Sequence, residues 1–328
     1  MKKVLFAFVL VLVLLPWQEV LAQNINLLGF VRPRIGVFAN TAPRYQLNDS
    51  VSFSETQAGL NLTLPFRTRF EFGGGVQDGR GLARIKGSFW LANVNARYRT
   101  ASTEAATDLK PFLSLSAGVT GVKFSMKKGF WIYSAGGGFV EEVGGFGTGS
   151  TFLYGAFTKL RIRGLRRLNA YGLAVVASRR LILPIPIIGW YRSYKRKRTL
   201  TVVLPLFVRY TQKIKRNTTF RTELNLNGFN AGFAASPNPL YAQAPAGERL
   251  RLGHSHLRFT AGIGQKLGQQ WWLGLDAGAN FPTFLRIGDQ GETLYRTNGL
   301  GGFYGGVTLR YRLKMNSLGN FLETTGLF

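Results

Sequence analysis

The only two histidines among 328 residues stand together, in His254-Ser255-His256. A serine beside a histidine suggests hydrolysis, with the imidazole as base for the hydroxyl. In an extended strand, however, neighbouring residues project to opposite faces, so Ser255 points away from both histidines. His254 and His256 share a face, but two imidazoles fall short of the three protein ligands of a catalytic metal centre. Partly hydrated histidines on the wall or rim of a larger fold are therefore expected, rather than a lipid-modifying hydrolase. Carboxylates are scattered: Glu223 shares a face with Arg221, Asp276 with Asn280, and Glu55, Glu71, Glu141 and Glu142 have no regular spacing. Lumenal ion pairing suits them better than acid–base work. The glycine runs Gly136-Gly137-Gly138 and Gly144-Gly145-Phe146-Gly147 lack the following helix start and lysine of a phosphate-cradling loop. Nothing in the sequence points to a cofactor or a metal.

The cations carry more information. Forty-two Lys and Arg face fifteen Asp and Glu, a net charge of +27. Such an excess calls for anionic neighbours: lipopolysaccharide headgroups, permeating anions or nucleic acid. Arg97, Arg99, Lys159, Arg161, Arg209, Arg221, Arg258, Arg310 and Arg312 fall on the polar face of alternating segments. Of these, Lys159, Arg161, Arg209, Arg221, Arg258, Arg310 and Arg312 are the candidate residues lining a water-filled or side-chain-filled interior. Arg166-Arg167, Arg179-Arg180, Lys195-Arg196-Lys197-Arg198 and Lys213 to Arg216 cluster at joints, where they would meet anionic headgroups or solvent.

The elements that carry these side chains are strands. From Leu200 to Gly228, Leu200, Val202, Leu204, Leu206, Val208 and Tyr210 alternate with Thr201, Val203, Pro205, Phe207, Arg209 and Thr211. After a basic turn, Phe220, Thr222, Leu224 and Leu226 alternate with Arg221, Glu223, Asn225 and Asn227. A period of two with one greasy and one charged face describes a strand between unlike solvents. The unit recurs in segments 27–38, 51–64, 66–76, 83–99, 112–122, 130–140, 151–163, 168–177, 181–192, 199–211, 219–231, 255–266, 271–281 and 302–313. Closure into an antiparallel barrel removes the exposed edges. The expected fold is a closed transmembrane β-barrel of about fourteen strands, with twelve as the alternative. Transmembrane strands need about 9 to 11 residues, which suits these lengths. Aromatics near strand ends, Tyr98, Tyr210, Trp271, Phe281 and Tyr311, match interfacial girdles.

Joint lengths follow a barrel's parity, with short turns at 64–66, 178–180, 213–217 and 267–270 and long connections at 39–50, 232–254 and 282–301. Three joints break the rule: 164–167 and 194–198 are short on the long-loop side, and 100–110 is long on the other.

Lys2 and Lys3 precede the apolar run Val4 to Leu15, and Val20-Leu21-Ala22 follows, the pattern of an export signal over residues 1–22. The run is too short for a spanning helix, which needs about 20 apolar residues. Residues 23–313 would form the barrel and 314–328 a tail or closing segment. Export argues against nucleic acid as partner. The absence of cysteine removes disulfides and thiolate metal sites.

The motif Leu183-Pro184-Ile185-Pro186-Ile187-Ile188-Gly189, then Tyr191, Leu204-Pro205, Tyr210, Arg221-x-Glu223-Leu224 and Gly228, resembles an uncharacterised outer-membrane β-barrel family of Gram-negative bacteria, a domain of unknown function. Phe53-Ser54-Glu55-Thr56, Gly59-Leu60-Asn61 and Leu64-Pro65 are similar to its N-terminal half. The resemblance implies an outer-membrane location and a barrel, and brings no substrate or catalytic residue. The segment Phe321 to Phe328 departs from the usual closing strand, since it alternates poorly. The functions compatible with these patterns are a passive pore for small anionic solutes or a structural barrel with a basic, side-chain-filled lumen. A lipid-modifying hydrolase and a hydrophobic-ligand transporter are the alternatives. No enzymatic activity is expected, and the partners expected are outer-membrane lipids, lipopolysaccharide and small anions.

Overall fold

In the computed structural model the alternating segments pair in sequence order, each antiparallel to the next. The structure describes residues 34–312 apart from 48–50, 78–79, 107–108, 126–128, 145–148, 165, 179–181, 195–196, 235–248, 290–291 and 300. The export signal and the tail proposed from sequence lie outside the described residues.

The strands are β1 (Arg34–Gln46), β2 (Ser52–Gln77), β3 (Arg80–Thr103), β4 (Phe112–Ser125), β5 (Gly129–Glu142), β6 (Ser150–Gly164), β7 (Arg167–Ser178) and β8 (Ile182–Tyr194). They continue as β9 (Arg198–Leu204), β10 (Phe207–Lys213), β11 (Thr218–Ala234), β12 (Arg249–Leu267), β13 (Trp271–Asp289), β14 (Glu292–Gly299) and β15 (Phe303–Arg312). β15 pairs with β1 from Arg34↔Arg312 to Thr41↔Gly305, which closes the sheet on itself. β14 lies along Thr283–Asp289 of β13 and β15 along Trp271–Ala279, so the two together form one interrupted strand. The wall is thus a closed antiparallel ring of fourteen strands. Among the described residues no helix is long and apolar enough to cross a membrane.

The count agrees with the sequence through two differences that offset each other. Segments 51–64 and 66–76 are one strand, β2, because Phe66 is an extra residue in a bulge between Pro65 and Arg67 rather than part of a turn. A bulge absorbs one residue and tolerates a proline without an N–H, so Leu64-Pro65-Phe66 passes through the wall. Segment 199–211 is two strands, β9 and β10, folded back through a β-turn closed by Leu206 N–H to Val203 O at 2.7 Å. These changes move every joint between Pro65 and Leu206 to the opposite rim. The three joints that broke parity now obey it. At the lower rim, where Arg34 meets Arg312, the joints are two to four residues long; the upper rim carries all the longer ones, together with short ones at 179–181, expected from sequence on the other rim, and 205–206.

The expected long loop at 282–301 is largely strand, and the ends of the one at 232–254 are strand as well, to Ala234 and from Arg249. β11, β12, β13 and β14 continue above their neighbours as a tall sheet. Two residues of β12, His256 and Arg258, frame a register shift opposite Asn280 and Thr283 on β13, and the inward face of β13 changes from even to odd numbers there. Bulges bend a strand and sharpen its twist, and this one tips the sheet over the lumen.

The outer surface is apolar. Val37, Leu60, Val94, Val119, Leu173, Ile188, Ile263, Leu275 and Val307 are all exposed. Tyr98, Trp190, Tyr194, Trp271 and Phe281 lie among them on the same outward face. A belt of this kind is stable only against hydrocarbon, and closure leaves each backbone group bonded to a neighbouring strand. Leu275 sits between Ile263 and Val307 in register and is 57% exposed. Leu275→Arg is expected to destabilise the barrel by about 2–4 kcal/mol in vesicles, the cost of a cation near the bilayer midplane, read as a shift of the urea midpoint.

Candidate functional site: the charged lumen

The inward rows converge on two chambers. The lower one is charged. On β10 and β11, Arg209 faces Glu223 in register, and its Nε and Nη2 donate to the two carboxylate oxygens at 2.6 and 3.0 Å. Arg221, two residues along the same face as Glu223, donates from Nη2 to both oxygens of Asp276 on β13 at 2.9 and 3.1 Å. Asn225 Nδ2 adds a donor to Glu223 at 3.3 Å. Beside this network Arg310 of β15 lies over the ring of Trp272, 4.6 Å from its centroid.

Trp272 can lie flat on the wall because glycines face it. A Cβ on Gly264 or Gly274, partners in the β12–β13 register, would come within 2.1 and 2.4 Å of the indole. Side-chain size on two neighbouring strands therefore sets the plane of Arg310.

The upper chamber mixes charge with aromatic rings. Arg258 donates from Nε to Asn280 Oδ1 at 2.8 Å and stacks 4.1 Å from the centroid of Tyr304. Arg99 brings Nε within 2.8 Å of Glu55 Oε1 and donates from Nη2 to Gln57 Oε1 at 3.1 Å. His254 and His256 do share a face, with ring centroids 4.9 Å apart. Both are buried rather than exposed at a rim, His254 under Phe53 at 4.1 Å. His254 Nε2 lies 3.2 Å from the Tyr45 hydroxyl, while neither ring nitrogen of His256 has a hydrogen-bond partner among the described residues. Among the described residues no group of three or more His, Asp or Glu could hold a metal ion.

Contacts cross the lumen here. Phe229 on β11 meets Phe112 on β4 at 5.9 Å, and the Arg99 guanidinium lies 4.2 Å from its ring centroid. Ala234 N–H on β11 donates to Glu142 on β5 at 3.4 Å. Around these contacts Phe53, Phe112, Phe233, Leu250, Leu252, Leu285 and Ile287 form a dry layer under the upper rim. A second apolar layer, with Tyr154, Val176, Ile185, Ile187 and Leu206, lines the inside of β6 to β10.

Of the basic residues selected from sequence, Arg209, Arg221, Arg258, Arg310 and Arg312 stand on inward rows. Lys159 and Arg161 do not. Their neighbours Thr158 and Leu160 are buried, so alternation turns Lys159 and Arg161 outward in line with the exposed Leu153 and Phe157. Lys159 Nζ lies 4.8 Å from the centroid of Trp131, an aromatic–cation pair on the outer face of the wall. The outward row of β6 passes from the apolar belt to the headgroup layer, and a long side chain there extends toward water. Arg34, Tyr45, Trp272 and Tyr304 were not selected, although the outward Ile35 and Val37 already set Arg34 on the inner face.

Above the membrane span, Glu104 ties the β3–β4 connection to β2. Its carboxylate accepts from the Ser52 amide at 2.7 Å and the Ser52 hydroxyl at 2.8 Å, and pairs with Arg44. Burial pushes this carboxyl up, but the Ser52 donors and Arg44 outweigh it and hold it below the usual carboxylate range. A lowered folded-state value stabilises above the unfolded value and is lost as pH falls through the folded one. The protection of the Ser52 amide, its exchange rate taken relative to the intrinsic rate at each pH, should therefore fall at acid pH in the native protein, and be lower but independent of pH in Glu104→Gln.

Pairing, closure and belt define the class: a transmembrane β-barrel of the outer-membrane kind. No family model and no curated protein matches the chain. Among solved structures it is similar to the translocator domain of autotransporter NalP from Neisseria meningitidis, at 10% identity and TM-score 0.28, covering 90% of this chain and 93% of that one. It is also similar to the transport unit of autotransporter AIDA-I from Escherichia coli, at 12% identity and TM-score 0.30, covering 91% and 99%. The toluene transporter TodX of Pseudomonas putida aligns at 6% identity and TM-score 0.27, covering 92% and 94%.

Proposed function

We propose that this protein is an outer-membrane barrel whose lumen is filled by its own side chains, closed under the upper rim and basic below, and so a non-conducting structural barrel at rest rather than an open anion pore. The observation that carries this reading is the set of contacts across the lumen, Phe112 to Phe229, Arg99 to Phe229 and Phe53 to His254. A solute path at that height would need these rings to part. The short joints at the lower rim fit the periplasmic end and the longer upper ones the cell surface. Its partners on this reading are the lipids and lipopolysaccharide around the belt, with small anions reaching the lower chamber. Hydrolysis finds no support, since alternation sets Ser255 on the face opposite both histidines. Recordings in planar bilayers test the reading: the native protein should be silent, and a steady anion-preferring current would overturn it.

A further inference from the structure

We infer that the outer wall of the barrel carries a binding site for an anionic phospholipid headgroup at the lower rim, formed by Arg161, Arg167 and Arg192 on β6, β7 and β8. The inference deepens the reading above, which sets this rim on the periplasmic side and surrounds the belt with lipid. From Val143 to Thr222, a stretch that contains all of β6 to β10, the chain carries no Asp or Glu. The carboxylates that flank the stretch lie elsewhere: Glu142 ends β5 at the upper rim, and Glu223 is bound to Arg209 inside the lumen.

Alternation turns the three arginines outward. Arg192 follows the exposed Ile188 and Trp190 on β8, Arg167 is in line with the exposed Tyr171 and Leu173 on β7, and Arg161 with Leu153 and Phe157 on β6. Arg167 stands directly opposite Arg192 in the β7–β8 register. Arg161 stands opposite Asn169, two residues along the same row of β7 from Arg167. Opposed side chains on neighbouring strands begin about 5 Å apart and diagonal ones about 7–8 Å, so the three long side chains can meet around one group. Ser193 N–H donates to Arg166 O at 3.0 Å, which ties the β6–β7 turn to β8 and keeps Arg167 beside Arg192. Like charges opposed in this way destabilise a sheet unless an anion joins them. The side chains of Arg161, Arg167 and Arg192 make no hydrogen bond, ion pair or ring contact with any described residue.

Position selects the anion. The exposed Phe157 and Ile188 lie four residues up the rows of Arg161 and Arg192, about 13 Å at the rise of a strand. Acyl chains can rest on those apolar rows while the phosphate meets the guanidinium groups, whose paired N–H donors match its oxygens. Trp190 and Tyr171 stand between the two zones, where amphipathic rings settle at the interface. The cluster offers cations and no anion, so it repels the ammonium of a zwitterionic headgroup and favours a headgroup with net negative charge.

The test is competitive lipid retention. The full chain, folded in detergent micelles, is given equal amounts of phosphatidylglycerol and phosphatidylcholine, and the lipid that stays on the barrel is weighed by native mass spectrometry. The parent should keep phosphatidylglycerol in preference. Arg167→Gln and Arg192→Gln should each weaken that retention about tenfold or more, the loss of one charge-assisted contact. Lys123→Gln, which removes an exposed cation from the outward row of β4, should keep the full preference. Without lipid, Arg192→Gln should unfold no earlier than the parent, because the like charge opposite Arg167 is gone. If it fails to fold, Arg192→Lys keeps the charge, loses the fork and should show reduced retention. Inorganic phosphate in excess should not displace the lipid, since it lacks chains for the apolar rows; displacement would assign the arginines to the free ion and overturn the lipid site. No preference for phosphatidylglycerol, a full preference in Arg192→Gln, or an equal loss in Lys123→Gln would also overturn it. Silence in bilayers combined with no lipid preference would remove the site and keep the closed barrel; steady current with Arg192-dependent retention would do the reverse.

Discussion

Glu223→Gln will leave Arg209 without its bidentate partner and Arg221 beside a neutral amide, and the barrel should lose about 3 kcal/mol of stability. Breaking a buried ion pair from one side costs about 3–5 kcal/mol, because the stranded cation stays desolvated. The lower end applies, since the Arg209 side chain keeps 21% of its surface exposed and Glu223 11%. The loss should appear as an earlier urea midpoint in vesicles. Removing both ends of the pair, Arg209→Met with Glu223→Leu, should recover most of it, because apolar pairs of similar size often match buried ion pairs. If the double variant is as unstable as the single one, Glu223 matters through Arg221 and Asp276 instead.

Phe229→Ala should turn the silent barrel into a leaky one. The ring lies between Phe112 and Arg99, and its loss removes the contact that joins β11 to β3 and β4 across the lumen. Truncating a buried phenylalanine costs about 3–5 kcal/mol by lost packing and residual cavity. The wall keeps its full ladder of backbone hydrogen bonds, so the barrel is expected to stay folded. Bilayer recordings should then show openings that favour anions over cations, because the charged side chains of the lumen are mainly arginine. Val37→Ala, on the outer face, is the control and should remain silent. Openings that favour cations would mean that the lower chamber does not control the path.

Much of the barrel is legible from period-two alternation. Leu257, Phe259, Ala261 and Ile263 against His256, Arg258 and Thr260 settle the two faces of β12 without any knowledge of its neighbours. The same local pattern misleads wherever a strand changes phase or direction without changing composition. At Leu64-Pro65-Phe66 a bulge and a turn produce the same break in alternation. At Leu204 to Phe207 a tight turn leaves the alternation unbroken, so two strands look like one. On β6 the outward row ends in Lys159 and Arg161, and an outward cation at headgroup depth has the same sequence signature as an inward one.

Sequence offered an open pore and a side-chain-filled lumen side by side and held nothing that chose between them. Phe53 and His254 are 201 positions apart, and only ring closure with the tilt of the tall β11–β14 sheet sets them 4.1 Å from each other. Sequence by itself determined that this chain is a barrel with oil outside and a basic interior, because side-chain alternation belongs to each strand alone and a charge of +27 to the composition. Tertiary structure decided which arginines share a chamber, which carboxylates neutralise them and whether the centre is open. Those depend on distances across the lumen, fixed by strand number, bulges and closure rather than by any local period.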